Sequence, residues 1–348
     1  MNKRSHITPR QMLFALGFLL AFLGMTIFLF SFQRDEKRFT NITTELFTEE
    51  MKSNTLNMHY TIARPENFGI YDYKPVLGIY DPGQELRGQA GLENVLAALK
   101  AIHRENLSQT DARLWQLLSR SLENSLALGS FPYYSDPLSP SSGTQTQLPI
   151  LLAEYTFRTR QDVEDYLALL DQTDEYLASL LLYEQEKTAA GRPMPGAFLR
   201  EVRAQCDNVI TAESLETESH FLQSTFRERT ETLVEKGIIS SEEAEDYRAI
   251  NDRLLRTVLL PAYTALGDGL LLLEDDSILP SGLAALPQGK AYYEKLLISK
   301  TGSYRTIDEI QKLLAARFSA EYDAVKEIVA QHPEAVSSYG TGDGQDFP

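Results

Sequence analysis

The sequence predicts an all-α protein, with a single N-terminal transmembrane helix followed by an irregular multi-helix domain. Three observations carry that expectation. Met12 to Phe32 is a run of 21 residues without a charge. Behind it, apolar residues recur at helical spacing, several times directly after a hydroxyl–acid pair at i and i+3. No stretch shows the sustained period-2 alternation, punctuated by turns, that an all-β domain needs.

The apolar run is long enough to cross a bilayer. At about 1.5 Å per residue it spans roughly 31 Å, against a hydrocarbon core of ~30 Å. Lipid offers the backbone no hydrogen-bond partners, so a helix is the form such a run takes. Lys3, Arg4 and Arg10 precede it, and the mixed stretch Arg34-Asp35-Glu36-Lys37-Arg38 follows. The positive-inside rule then places residues 1–11 in the cytoplasm and the bulk of the chain outside it, with the lipid bilayer as partner of residues 12–32. A cleaved signal would have an apolar core of about 7–15 residues and a small-residue cleavage site. This run is longer and ends in Phe30-Ser31-Phe32-Gln33.

Charge divides the chain in two. Residues 1–38 hold six Lys/Arg and two Asp/Glu, so the net charge of −16 leaves −20 on residues 39–348. That excess argues against nucleic acid as a partner, because phosphate binding needs a basic stripe. It argues equally against a domain lying flat on anionic lipid. The single cysteine, Cys206, excludes an internal disulfide.

The rest of the chain divides into a juxtamembrane linker at 33–40, a helical domain at 41–338 and a disordered Gly- and Asp-rich tail at 339–348. Helices are expected over 41–63 and 91–105. Ser108-x-x-Asp111, Thr159-x-x-Asp162, Ser240-x-x-Glu243 and Thr306-x-x-Glu309 each open another. The helix after Thr159 should run to the Gly191–Pro195 stop. The one after Ser240 should continue to Leu273 with a kink at Pro261. Irregular segments are expected at 64–90, 131–149 and 279–289, with a short strand or hairpin near Val76–Tyr80.

The chemistry is sparse. His6, His59, His103, His220 and His332 include no pair at the spacing of an H-E-x-x-H zinc helix. His103 should end a helix and His220 should lie within one. There is no G-x-S-x-G elbow and no phosphate loop. Cys206 falls in an apolar helical pattern and reads as a buried small hydrophobe. Residue chemistry alone gives no catalytic site.

Several segments, taken in order, carry a resemblance. They are Asn54–Pro65 (NTLNMHYTIARP), Asp136-Pro137-Leu138, Gly143–Pro149 (GTQTQLP), Thr159–Leu167 (TRQDVEDYL), Leu279–Leu283 (LPSGL) and Leu286–Tyr293 (LPQGKAYY). Together they resemble the N-terminal half of the bacterial domain-of-unknown-function 885 family, whose members resemble helical zinc metallopeptidases of the gluzincin type. The resemblance implies an all-α fold around a deep substrate cleft, with Tyr292 and Tyr293 as candidate substrate-binding residues. The alternative for both tyrosines is burial in the core. It also implies a zinc held by an H-E-x-x-H-type helix in a C-terminal half. This chain has no such motif, so no metal ligand and no catalytic residue carries over, and zinc is expected only where that half is present. Two expectations follow. The chain is the non-catalytic half of a membrane-anchored peptidase, or it is a complete non-catalytic module that binds peptides or acts as a scaffold.

Overall fold

The computed structural model describes residues 33–275, 277–278 and 282–333. The anchor at 12–32, the segment before it and the tail at 339–348 lie outside the described residues. Among the described residues no helix is long and apolar enough to cross a membrane, and none forms a strand. The chain divides into two compact units, residues 1–286 and 287–348.

The first unit opens with α1 (residues 33–53), so the expected linker at 33–40 is helical. Its first turns are tied down by burial. Asp35 accepts a hydrogen bond from Asn106 Nδ2 at 2.7 Å and lies 3.2 Å from His103 Nδ1. Burial alone would raise the Asp35 carboxyl, but those bonds outweigh it and hold it below the usual range. Phe39 packs with Leu99, Ile102, Leu107 and Leu122. The expected helix 41–63 is two helices. Asn54 leaves helical geometry and its side chain caps α2 (Thr55–Thr61) by accepting from Asn57 N–H.

Three of the four hydroxyl–acid pairs, Thr159/Asp162, Ser240/Glu243 and Thr306/Glu309, form reciprocal capping boxes. Ser108 caps its helix by accepting from Asp111 N–H. The helices are α3 (Pro82–Lys100), α4 (Gln109–Gly129), α5 (Thr144–Glu154), α6 (Arg160–Asp171), α7 (Thr173–Ala189) and α8 (Gly196–Val209). They continue with α9 (Ala212–Glu216), α10 (Phe221–Glu235), α11 (Ser241–Leu254) and α12 (Leu260–Leu271). The main core gathers residues from α5 to α12, among them Leu152, Tyr166, Leu177, Val202, Phe226, Leu255 and Leu266. Cys206 is buried there, as its helical setting implied.

Further expectations change. The helix after Thr159 breaks at Gln172, whose side chain is used elsewhere. Its amide donates to Pro75 O at 2.9 Å and its oxygen accepts from Leu77 N–H at 3.1 Å. Those bonds also explain why Val76–Tyr80 is no strand. Thr55 exchanges two bonds with Val76, Asn54 Nδ2 donates to Leu77 O, and Tyr80 N–H donates to Ser179 Oγ. Side chains thus satisfy backbone groups that a neighbouring strand would otherwise pair. Where a kink at Pro261 is expected, a π-turn at Leu255–Leu259 leads directly into α12, with Pro261 in its first turn. His220 is not mid-helix. It caps α10 by accepting from Leu222 N–H and it lies 2.9 Å from Val209 O.

The expected irregular stretch 131–149 ends early, at Gly143, which precedes α5. Pro149 lies inside that helix and has no N–H for Gln145 O. The buried Tyr263 hydroxyl donates to that carbonyl instead, at 2.9 Å. Tyr263→Phe should therefore destabilise the chain by about 1–2 kcal/mol, since it leaves a buried acceptor without a partner. Urea unfolding followed by circular dichroism checks the value, and an unchanged midpoint would remove Tyr263 from this role.

The second unit contains α13 (Gly289–Thr301) and α14 (Ile307–Gln331). α14 has no buried residue along its 25 positions. Leu313, Leu314, Phe318, Tyr322, Val325 and Ile328 recur at helical spacing, and each is more than half exposed.

Candidate functional site

Two cavities in the first unit are built from segments that carry the sequence resemblance. The larger measures about 740 Å³ and lies between the 133–141 loop, the end of α7, the start of α8, and Ile278 with residues 282–286. Its walls are mostly apolar: Leu138, Met194, Phe198, Leu283 and Leu286 with Pro140, Pro193 and Pro195.

The 133–141 loop is held from several helices. Tyr80 and Tyr183 hydroxyls bond Ser135, Gln145 Nε2 donates to Ser139 O at 2.7 Å, and Gln205 Nε2 donates to Pro140 O at 2.8 Å. Tyr133 holds a left-handed backbone at φ 64°, a strained state for an aromatic residue, and its hydroxyl donates to Glu186. Gly143 closes the loop where there is no room for a side chain. A Cβ there would meet the backbone nitrogen of Ser139 and the Gln145 side chain. Gly143→Ala should cost about 2–3 kcal/mol, as overpacking against fixed backbone does. It should also displace the loop, read as faster amide exchange over 135–143, whereas a wild-type exchange pattern would contradict that view.

On the other side, Gly191 at φ 76° ends α7 and Pro195 starts α8. That turn places two cations at the cavity. Lys187 is 5% exposed and its ammonium meets Asp136 and, at 3.4 Å, Glu184. Arg192 lies over the Tyr134 ring at 4.4 Å, a cation–π contact. Glu184 is fully buried, and burial pushes its carboxyl up to about 7 against the pull of Lys187. Nothing in the residue pattern singles out this cluster, because Glu184-x-x-Lys187 reads as a surface pair on a helix.

The second cavity, about 530 Å³, joins the 54–65 and 159–167 segments and includes His59, Arg158, Asp162 and Tyr73. His59 has the outline of an acid–base dyad, with Asp162 at 3.6 Å from Nδ1. Its other nitrogen is engaged: Nε2 accepts from Thr156 N–H at 3.1 Å. The ring stacks on Tyr155 at 3.6 Å, and burial lowers its pKa to about 4. A ring so engaged is a structural acceptor, with no nitrogen left to move a proton.

No metal site emerges from these residues. Among the described residues no three His, Cys, Asp or Glu side chains converge to hold an ion. His220 spends both ring nitrogens on backbone groups, and His59 has Nε2 on a backbone N–H and Nδ1 beside Asp162. The Cys206 thiol is pushed up to about 12 by burial, far from the thiolate that a metal needs. The described residues do not fit a catalytic zinc.

Tyr292 and Tyr293 lie on α13 in the second unit, and neither lines the cavities just described. Tyr292 is buried and Tyr293 is 42% exposed. Adjacent helical positions point about 100° apart, so the two side chains do not share one face.

This is an all-α protein built around cavities that draw on several of its resembling segments. Residues 65–345 match the family described as bacterial protein of unknown function DUF885, and the chain belongs to that family. No protein of curated function matches it. Among solved structures it is similar to one described as "the putative lipoprotein from Colwellia psychrerythraea", with a TM-score of 0.71 at 16% identity. The match covers 90% of this chain and 52% of that one, so this chain spans about half the length of the structure it resembles. At that identity the likeness is one of fold.

Proposed function

We propose that this chain is the N-terminal, non-catalytic half of a membrane-anchored, extracytoplasmic protein that acts on peptides and is related to zinc metallopeptidases. The zinc ligands of that protein lie outside this chain. Residues 12–32 hold it in the membrane, with the N-terminus in the cytoplasm. The observation that carries the reading is α14. A 25-residue helix keeps its whole apolar stripe in water, while the similar solved chain has about as much protein again. Stripes of that kind mark surfaces that another body covers. The lipoprotein description of the Colwellia protein and the uncharged 12–32 run support a place at a membrane.

The test compares this chain with a longer one that includes the sequence encoded directly downstream. The longer protein should carry about one zinc per chain by elemental analysis and cleave members of a peptide library, and this chain should do neither. A longer protein that neither binds zinc nor cleaves any peptide overturns the reading. Removal of residues 12–32 should move the chain from the membrane pellet to the soluble fraction.

The self-contained core of the first unit favours a second reading, a complete anchored module that binds peptides without chemistry. A single cooperative melt of the chain without dye binding would support it. Strong binding of an apolar dye at α14 supports the first.

A further inference from the structure

We infer that the 740 Å³ cavity of the first unit is a carboxylate-binding pocket that takes the hydrophobic C-terminal residue of a short peptide. The class of ligand rests on the peptide reading above, whereas the pocket itself rests on geometry alone.

The cavity couples an apolar interior to two cations. Met194, Phe198 and Leu283 supply surface that favours an apolar side chain. Lys187 lines the same space and is almost fully buried. Its ammonium has three donors and, among the described residues, two partners, Asp136 and Glu184. Arg192 lies flat on Tyr134, with its Nε buried and lacking a hydrogen-bond partner among the described residues. Buried donors in that state are costly unless something accepts from them.

Asp136 shows what that acceptor is. Its side chain is 59% exposed, and yet it reaches in to the buried Lys187. A carboxylate on an exposed side chain occupies the place where a ligand carboxylate would bond. Asp136 itself regains water when it swings out, and the partner that the buried Lys187 would lose is replaced by the ligand carboxylate, which brings the same charge to the same place. Glu184 cannot do so, since it is buried behind the lysine. The pocket is therefore capped by its own side chain, which a ligand carboxylate displaces. Burial raises the Glu184 carboxyl and so weakens it as a counter-ion, which leaves room for a second anion at Lys187.

The experiment is calorimetric titration of the full 348-residue chain in lipid nanodiscs. The probes are the tripeptide Ala-Ala-Phe as free acid, the same peptide with an amidated C-terminus, and decanoate. The free acid should bind, and the amide should bind about tenfold more weakly or worse, the loss expected for one charge-assisted bond. Lys187→Met should abolish binding of the acid. That variant could fail to fold, so Asp136→Asn is the decisive one. It removes the competing carboxylate and should tighten binding of the acid severalfold, which structural damage would not do. Equal binding of acid and amide, no binding of the acid at all, or weaker or unchanged binding by Asp136→Asn each overturns the pocket. Binding of decanoate without the peptide overturns the ligand class. None of these readouts involves zinc or hydrolysis, so they stand apart from the test of the longer protein.

Discussion

Lys187→Met should destabilise the chain by about 3–5 kcal/mol at pH 8 and by far less at pH 5. The reason is the buried carboxylate left behind. Glu184 is 1% exposed, its Oε1 has no hydrogen-bond partner among the described residues, and Lys187 is its nearest compensating charge. Breaking a buried pair from one side strands an ion, which is what makes it expensive. At low pH the cost fades because Glu184 takes up a proton. Already in the parent chain its folded pKa is raised, to about 7 from an ordinary 4.5. A raised carboxyl binds more protons in the folded state, so its contribution falls as pH rises from 4.5 through 7. Loss of the lysine pushes that pKa further up and widens the window. Glu184→Gln should accordingly gain on the parent by up to about 3 kcal/mol across the same range. His59 has the opposite slope. Its folded pKa is depressed to about 4, so its contribution is complete above 6.5 and is lost as pH falls towards 4. That slope is common to both proteins and cancels in the difference. Urea unfolding at pH 5 and 8 measures all of this, and an equal loss for Lys187→Met at both values would refute it.

Arg229→Ala should cost about 3–4 kcal/mol with little dependence on pH. Arg229 reaches from α10 to the end of α5, where Nη1 donates to the carbonyls of Leu152 and Tyr155. These are among the oxygens that a helix C-terminus leaves unpaired, and a cation there also faces the negative end of the helix dipole. The guanidinium lies 4.3 Å over Phe157 and 5.0 Å over Tyr166. Truncation removes stacking and takes a donor from both carbonyls, of which Leu152 O keeps only the long bond from Tyr155 N–H. Arg229→Lys should retain charge yet lose the planar fork, and fall between parent and alanine. A lysine variant as stable as the parent would show that charge alone matters. Circular dichroism in urea resolves the three.

The features that were legible in the sequence are those decided locally. Thr159, Ser240 and Thr306 cap their helices with partners three residues away, so a short window contains the whole interaction. Apolar spacing likewise located the core of α6 and the exposed stripe of α14, although it could not say which face would be buried. What escaped was decided at a distance. Val76–Tyr80 has strand-like residues, but its hydrogen-bond partners include Gln172 and Ser179, about a hundred positions on. The break at Gln172 is the same fact seen from the other end. His220 carried no sign of its capping role, since histidine is an uncommon cap. Lys187 and Glu184 have the spacing of an ordinary surface pair, and only the return of the 133–141 loop encloses them. The candidate pocket was thus visible as separate resembling segments and invisible as chemistry.

The burial of Asp35 sets a reach. It lies three residues past the apolar run and is already fixed to Asn106 and His103. With residues 12–32 in lipid, as proposed, no slack separates the bilayer from the first unit. Such a domain cannot sweep a volume on a flexible leash. It would stay within a short distance of the bilayer, held off an anionic surface by its own negative charge.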